Sequence, residues 1–449
     1  MEIENSSLFR EVLQIINSPA KPVHYQYYAI VHAGGRDYPA LKVISIDYDA
    51  DYELNYSDII VLRLAVPGGT YAYRMYPAQA NLDITLVRVP LSETGSDFDE
   101  DATPQSERYT AILLDTGNPV VDSSGRNPVD EDVLNITNIF EVDFQLINKS
   151  LEQIRLLSVG GPYRQTTVTD VIKTALTVGS QRVQVEGVRA PQGVDMVEAN
   201  NTTKREHIII PQGTLLVNLP EYVHQKCGGV YSAGMGYYLQ GDHWYVYPCY
   251  DVTRYANAAR TMTIINVPPN KFPDVDRTYR QDGQNLVVLA TGEVSFRDYT
   301  DAQQLNDGNG VRFADATKFM SGFSESEGNQ TVVSRGANNT EVVSVERENG
   351  KNNVKTSDRA INANPYLEYS MLARRQGSFL QMVWEKSNPS LVYPGMMIRV
   401  LYLKGDQIEE LFGVILKAQH HVKMNGQGLS SMRHTSQSAL AIFVQQSKK

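Results

Sequence analysis

The chain has 449 residues, 42% of them hydrophobic and 20% charged, with two cysteines and a formal net charge of −10. This is the composition of a globular protein with length for about three domains, and its two cysteines exclude a disulfide scaffold and a multi-cysteine zinc module. The negative net charge argues against sequence-independent binding of nucleic-acid phosphate. No apolar run reaches the roughly 18 residues of a membrane span, and the acidic first residues lack a signal-peptide pattern.

Three short segments have helical patterns. Apolar residues at helical spacing follow Ser6 and Ser7, and residues 169–176 carry four apolar side chains on one side of a helix. Residues 215–226 contain a third helical pattern, which begins again at Pro220 because proline suits a first helical turn. Most other segments alternate apolar and polar residues between turn residues, which is typical of strands. The strand segments are 44–48, 59–66 (read as a fully buried run), 140–146, 380–384, 398–402, 411–416 and 439–444, with a turn at Gly405-Asp406. We therefore predict a mainly β protein with a few helices, of the α+β class.

The charge is unevenly distributed. Residues 93–132 contain 11 acidic and two basic side chains, whereas residues 351–449 contain 13 basic and six acidic ones. Such an asymmetry often marks interaction surfaces, and a solvated acidic loop beside a mildly basic domain explains it equally well. Residues 301–365 are polar and contain only short apolar runs, so we expect an extended arm or loop there.

Two segments carry acidic motifs. Asp115-Thr116-Gly117 follows two leucines as in aspartic proteases, but that chemistry needs a second such loop or a dimer, and the chain has no second Asp-Thr-Gly or Asp-Ser-Gly. The segment from Asp97 to Asp101 begins like a calcium loop but lacks the glycine and the twelfth-position glutamate of an EF-hand.

Other residue types give no catalytic or metal-binding pattern. The histidines have no metal-ligand spacing, and His420 and His421 are adjacent, so on a strand they point to opposite faces. Cys227 and Cys249 are expected to be buried thiols. We predict no enzymatic activity, no catalytic residue, no cofactor and no metal site, with an aspartic-type protease at Asp115 as an alternative.

Tyrosine is unusually frequent, with 26 residues against 12 phenylalanines. Eight large rings lie within 25 residues: Tyr231, Tyr237, Tyr238, Trp244, Tyr245, Tyr247, Tyr250 and Tyr255. The strand after the Gly241-Asp242 turn carries rings on both faces, so both faces need cover from another layer of the protein or from a neighbouring chain. A carbohydrate-binding β module that stacks sugars on these rings is the other interpretation.

Several segments together resemble a known family. In chain order, the segments are residues 140–146, 167–176, 239–250 (LQGDHWYVYPCY), 262–269 and 285–292. Near the end, Tyr393-Pro394-Gly395-Met396 leads into a strand, and residues 411–415 form the next strand. In order and character these segments resemble the baseplate hub proteins of contractile-tailed phages and related injection machines. The resemblance covers roughly residues 130–300 and 375–445 and includes no catalytic signature.

The resemblance implies a structural, non-enzymatic virion protein of the tail baseplate, made in the host cytoplasm. It implies a homotrimer with two tail-tube-like β-barrels per chain, which joins a sixfold tail tube to a threefold, separate central spike protein. Other baseplate proteins are expected partners, no membrane is involved, and DNA would pass through the lumen without sequence-specific binding. The acidic residues 93–132 are candidates for a lumen wall, because like charges repel phosphate.

The expected domains and contact residues combine the charge pattern, the polar region and the aromatic cluster with this resemblance. The domains are a tube-like barrel (1–100), an acidic loop with an α+β domain (101–200), an aromatic-rich β domain (201–300), a polar arm (301–365) and strands of a second tube-like barrel (366–449). The expected interface residues are Tyr237, Tyr238, Trp244, Tyr245, Tyr247, Tyr393, Gly395 and Gly413.

Overall fold

The computed structural model describes residues 7–16, 24–91, 103–114, 131–184, 190–273, 275, 277–293, 311–315, 340–348, 351–356, 364–375, 377–404, 407–425 and 433–445. Within these ranges the protein is mainly β, as the alternating pattern predicts. The described helices are α1 Ser7–Ile16, α2 Gly68–Thr70, α3 Glu131–Thr137, α4 Lys149–Ile154, α5 Val168–Ser180, α6 Leu219–Lys226 and α7 Pro365–Arg375. None of them is long and apolar enough to cross a lipid bilayer.

The strands form one large sheet and three small ones. The first half of the chain contributes β1 His24–Ala33, β2 Arg36–Pro39, β3 Lys42–Asp51, β4 Ile59–Pro67, β5 Leu82–Leu91, β6 Gln105–Leu113, β7 Ile139–Asn148, β8 Ser158–Thr166, β9 Gly193–Met196 and β10 Arg205–Leu215. The second half contributes β11 Gly236–Gln240, β12 His243–Tyr247, β13 Thr261–Asn266, β14 Tyr279–Asp282, β15 Asn285–Ala290, β16 Val311–Asp315, β17 Thr340–Glu348, β18 Lys351–Thr356, β19 Ser378–Trp384, β20 Met397–Lys404, β21 Gln407–Met424 and β22 His434–Gln445.

The first barrel is a ring of eight strands in the order β3-β4-β7-β6-β5-β1-β22-β21, with β21 pairing back onto β3. The contact of β1 with β22 is the Tyr25–His434 pair. Alternate residues point inward because successive side chains of a strand face opposite sides. In β4, Ile60, Leu62 and Leu64 are buried in the barrel core, whereas Arg63 on the other face is exposed.

The second barrel is a ring of six strands in the order β15-β13-β20-β21-β22-β19. It closes where Thr291, directly after β15, bridges to Val383 of β19. The parallel strands β15, β13 and β20 form one wall, and the outer side of that wall is covered by α1, whose Ile15 is fully buried. Strands β21 and β22 belong to both barrels, so the two barrels share a wall.

A compact α+β unit lies beside the barrels. Its core brings together α4, α5, α6, the β8–β10 ribbon and the three-stranded sheet β11-β12-β9, which we call the aromatic sheet. Helix α5 begins at a capping box in which the Thr167 hydroxyl accepts the Asp170 backbone N–H and the Asp170 carboxylate accepts the Thr167 backbone N–H. The helix predicted at residues 169–176 is therefore confirmed and extends to Ser180.

The strands differ from the expected pattern in three respects. The first barrel continues past the expected boundary at residue 100, because β6 and β7 complete its wall. Residues 59–66 form a barrel strand in which Ile60, Leu62 and residues 64–66 are buried but Ile59 is 43% exposed, so the predicted buried run is buried only in part. The polar region 301–365 contains the separate sheet β16-β17-β18 in its described part. The Gly405-Asp406 turn lies outside the described residues.

Candidate functional site

The aromatic sheet presents rings on both faces, as the sequence predicts. Trp244 and Val246 of β12 face the core of the α+β unit, whereas Tyr247 faces the core of the second barrel. Neighbouring layers of the same chain thus supply the cover on both sides. The Trp244 indole N–H donates to the Ser180 hydroxyl at 2.9 Å, which satisfies this fully buried group.

Three tyrosine hydroxyls of this region meet one loop of the first barrel, the turn 52–58 between β3 and β4. Tyr238 donates to the Asp58 carboxylate at 2.6 Å, Tyr247 donates to the Tyr52 carbonyl at 2.8 Å, and Tyr250 donates to the Glu53 carboxylate at 2.6 Å. A phenylalanine would fill the same space but would remove the hydroxyl that donates to each acceptor. The hydroxyls therefore explain why these three rings belong to tyrosines.

The same loop makes further contacts. The Leu239 backbone N–H donates to the Tyr56 carbonyl at 2.8 Å, and Arg374 of α7 lies 3.2 Å from the Glu53 carboxylate. The rings of Tyr52 and Tyr238 meet edge to face with centroids 4.8 Å apart. We call the loop 52–58 with Tyr238, Tyr247 and Tyr250 the tyrosine clasp. It joins the first barrel to the aromatic sheet.

The clasp contains a carboxyl group with an altered acidity. Burial raises the pKa of Asp58 to about 6, the hydrogen bond from Tyr238 opposes this, and the charges of Glu107 and Asp49 add to the increase. Burial also raises the pKa of the Tyr52 hydroxyl well above its ordinary value. That hydroxyl has no hydrogen-bond partner among the described residues.

A cleft of about 570 Å³ opens beside the aromatic sheet, between the α+β unit and the second barrel. Its walls include Tyr245, Tyr393, Arg254, Arg260 and Glu198. The Arg260 guanidinium lies 4.1 Å from the centre of the Tyr393 ring, so one face of that ring is already covered by a cation. Burial lowers the pKa of Arg254.

Two glycines expected at an interface have structural reasons to be glycine. Gly395 has a φ of +66°, and a Cβ there would lie 2.3 Å from the Tyr247 ring. Gly413 lies in β21, where a Cβ would lie 2.4 Å from the Phe443 carbonyl oxygen. Both are buried inside the chain, and they allow close approach of ring and strand.

The expected interface residues fall into two groups. Tyr238, Trp244 and Tyr247 are at most 2% exposed, so they serve contacts within the chain. Tyr237, Tyr245 and Tyr393 are half-buried, and for them an interface stays a prediction. A sugar platform on Trp244 is inconsistent with its burial.

The predictions that His420 and His421 point to opposite faces of a strand and that both cysteines are buried thiols are confirmed. His420 is buried and hydrogen-bonded to the Ser438 hydroxyl at 2.7 Å, whereas His421 on the opposite face is exposed and pairs with Asp47. Both cysteines are buried free thiols. Within the described ranges, no group of three or more His, Cys, Asp or Glu residues could hold a metal. The segments at Asp97 and Asp115 lie outside these ranges, and with them most of the acidic region 93–132.

The sequence did not reveal the acceptors of the clasp. Asp58 and Glu53 lie in a polar turn, which is the pattern of a solvated hairpin loop. Their donors lie 180 and 197 residues later in the chain. Only the unusual density of tyrosines pointed to this part of the molecule.

Neither a family model nor a curated protein matches the chain. Among solved structures, it is similar to a tail protein from Neisseria meningitidis at 12% identity and a TM-score of 0.42, covering 93% of this chain and 96% of that one. A 43 kDa prophage tail protein from Shewanella oneidensis matches at 11% identity and a TM-score of 0.43, covering 93% and 98%. An Escherichia coli component of the type VI secretion system, described as structurally similar to phage tail proteins, matches at 9% identity and a TM-score of 0.40, covering 93% and 77%. These similar structures are thus described as tail proteins and as a component of a secretion system.

Proposed function

We propose that this chain is a structural hub protein of a phage tail baseplate. Three copies form a ring that joins the sixfold tail tube to a threefold central spike supplied by another protein. In this role the chain is a building block of the virion and not an enzyme. The observation that carries the proposal is the pair of closed barrels that share strands β21 and β22.

Two barrels in one chain solve a symmetry mismatch. Three identical copies related by a threefold axis would present six barrels around that axis, which matches a sixfold tube on one side and a threefold spike on the other. The match requires the two barrels of a chain to keep a fixed relative position. The 18 residues of β21 run through both barrels over about 60 Å, so a shared wall fixes that position.

The α+β unit and the aromatic sheet brace this pair from the side. The clasp ties the aromatic sheet to the first barrel, and Tyr247 packs into the core of the second. The half-exposed rings of Tyr237, Tyr245 and Tyr393 are the contacts we assign to neighbouring subunits or other baseplate proteins. A lumen wall with an excess of acidic groups would repel DNA phosphate and let DNA pass without sequence-specific binding.

The first test is the mass and shape of the purified protein. Three copies of a 50.2 kDa chain give a particle of about 150 kDa by light scattering, and averaged micrographs should show six densities around a threefold axis. A monomer that forms no ring, even with tube or spike proteins present, would contradict the proposal.

A substitution separates the interface from the fold. Tyr237→Glu places a charge on a half-exposed ring at the edge of the α+β core, so the trimer should dissociate at higher protein concentration than the wild type. Trp244→Phe changes a ring with no exposed surface and serves as the control, because it should lower stability without changing the oligomeric state. If both variants remain equally trimeric, Tyr237 is not an interface residue.

A further inference from the structure

The tyrosine clasp contains a carboxyl group in an unfavourable position for a charge. Asp58 is partly buried at the end of the turn between β3 and β4, where its carboxylate contacts Tyr238 of the aromatic sheet. The titratable and charged groups around it are Asp49, Tyr48 and Tyr52 from β3 and its turn, Glu107 and Tyr109 from β6, and Tyr238 from β11.

These neighbours give the Asp58 carboxylate little compensation. Two of them, Glu107 and Asp49, are acids and oppose its ionisation. The cation Arg88 interacts with Tyr27 and lies 4.6 Å from the centre of the Tyr25 ring. The Tyr238 hydroxyl, at 2.6 Å, is the hydrogen-bond donor that the described residues supply to this carboxylate.

We propose that the tyrosine clasp is a proton-controlled joint, which holds the first barrel against the aromatic sheet when Asp58 is protonated and loosens when Asp58 ionises. A neutral carboxyl keeps its hydrogen bond from Tyr238 and has no charge to desolvate. An ionised carboxylate gains free energy by moving into water, and the turn 52–58 can carry it there without breaking a strand pair of the barrel.

Proton linkage sets the direction and the size of the effect. The pKa of Asp58 is about 6 in the closed joint and returns towards its ordinary value of 3.8 when the loop opens, so the closed form binds the proton more tightly. Between about pH 4 and pH 6 each unit of pH favours opening by up to tenfold, which is up to about a hundredfold in all. Above and below this window the opening equilibrium is constant.

The rest of the joint limits the movement. Glu53 keeps its contacts with Tyr250 and Arg374, and strands β3 and β4 keep their ladder from Lys42–Ala65 to Asp49–Ile59. Loosening is therefore confined to the turn and to its contacts with β11. It is a property of one chain and does not depend on the trimer.

Hydrogen exchange measured by mass spectrometry tests the idea on the full chain. Protection factors, corrected for the intrinsic pH dependence of exchange, are followed from pH 4.0 to 7.5 for peptides covering the turn 52–58 and strand β11. We expect them to fall by up to about a hundredfold as pH rises through this window, while peptides from β21 stay unchanged. Constant protection across the window would overturn the proposal.

Variants identify the group responsible. Asparagine is a neutral near-isostere of aspartic acid, so in the Asp58→Asn variant the clasp should stay closed at every pH. Asp282→Asn makes the same change at a side chain that is 70% exposed on β14, and it should retain the wild-type pH response. If Asp58→Asn keeps the pH response, Asp58 is not the controlling group and the proposal fails.

A direct titration covers the case in which a variant is poorly folded. The carboxyl ¹³C resonance of Asp58 in the wild-type protein should titrate near pH 6. In Tyr238→Phe the midpoint should move to higher pH, because the hydrogen bond from Tyr238 stabilises the charged carboxylate and the variant lacks it. A wild-type midpoint near 3.8, or a midpoint that Tyr238→Phe leaves in place, would overturn the proposal.

Discussion

The shared wall of the two barrels and the tyrosine clasp are joints of different kinds. Strands β21 and β22 join the two barrels through one antiparallel ladder with a bulge between Ile415 and Lys417. The tyrosine clasp joins the first barrel to the aromatic sheet through a few side-chain hydrogen bonds. A ladder spreads its free energy over many equivalent backbone bonds, whereas the clasp concentrates it in groups that titrate. The first joint is therefore set by strand geometry and the second by chemistry that solvent conditions can change.

The largest expected effect breaks the shared wall. In Gly413→Ala the new Cβ would lie 2.4 Å from a backbone oxygen of β22 that cannot move without shifting the strand, so we expect a loss of about 3 to 4 kcal/mol in the free energy of unfolding. Denaturant titration measures this. Gly241→Ala is the control: it has nothing within 4 Å and a φ of +61°, so its loss should be about 1 kcal/mol. Equal losses would show that β21 and β22 are not tightly paired there.

The second prediction uses pH to contrast the joints. Burial lowers the pKa of His420, on the shared strand β21, to about 4, below its ordinary value of 6.5. Because this pKa is lower in the folded than in the unfolded protein, the neutral His420 contributes fully to the free energy of unfolding above pH 6.5. This contribution is lost as pH falls towards 4, by up to about 3 kcal/mol. The shared wall thus weakens in acid, where the clasp tightens.

Unfolding titrations at pH 7 and pH 4.5 measure this acid sensitivity. His420→Gln should remove part of it, whereas His421→Gln, on the exposed face of the same strand, should leave it in place. His224 of the α+β unit is also buried, with a pKa lowered to about 4, and contributes to the acid sensitivity in the same direction. An acid sensitivity that His421→Gln removes and His420→Gln does not would refute the assignment.

A third, smaller effect is expected within the clasp. Tyr247→Phe removes the donor to the Tyr52 carbonyl and leaves a buried acceptor unpaired, so stability should fall by about 1 to 2 kcal/mol. Tyr28→Phe, on a ring that is 40% exposed, should change stability by less than about 0.5 kcal/mol. Thermal or denaturant unfolding compares the two. No difference between them would mean that the hydroxyl contributes nothing to the clasp.

The smallest effect has the opposite sign. The Tyr52 ring is 1% exposed and its hydroxyl has no partner among the described residues. Tyr52→Phe should therefore raise stability, by up to about 1 kcal/mol, because it removes a buried polar group that makes no hydrogen bond. A loss of stability in this variant would show that the hydroxyl is satisfied, for example by a water molecule.

The sequence patterns predicted where the strands lie better than they predicted which strands pair with each other. Alternation located β7 and β19, and the helical spacing and Pro220 located α6. The same pattern could not show that β21 extends to 18 residues and pairs with three strands, because alternation records which side chains face inward and contains no information on the neighbour. For the same reason the first barrel could not be seen to continue beyond residue 100.

The candidate site was predictable only in part. The density of rings indicated strands covered on both faces, and Trp244 and Tyr247 have that cover. The acceptors of the hydroxyls could not be deduced, because Asp58 is buried by residues that lie far away in sequence, and this burial raises its pKa. Gly395 was placed at an interface, but its neighbour is a ring of its own chain.

The strands that close both barrels come late in the chain. Strand β1 begins at His24, yet the ring that contains it is closed by β21 and β22, about four hundred residues later. During synthesis at roughly 5–20 residues per second, the first barrel therefore stays an open sheet for tens of seconds, and its edges are exposed to other chains. A chain interrupted before residue 407 closes neither barrel. Closure of either ring therefore requires that translation has passed through β21 and β22.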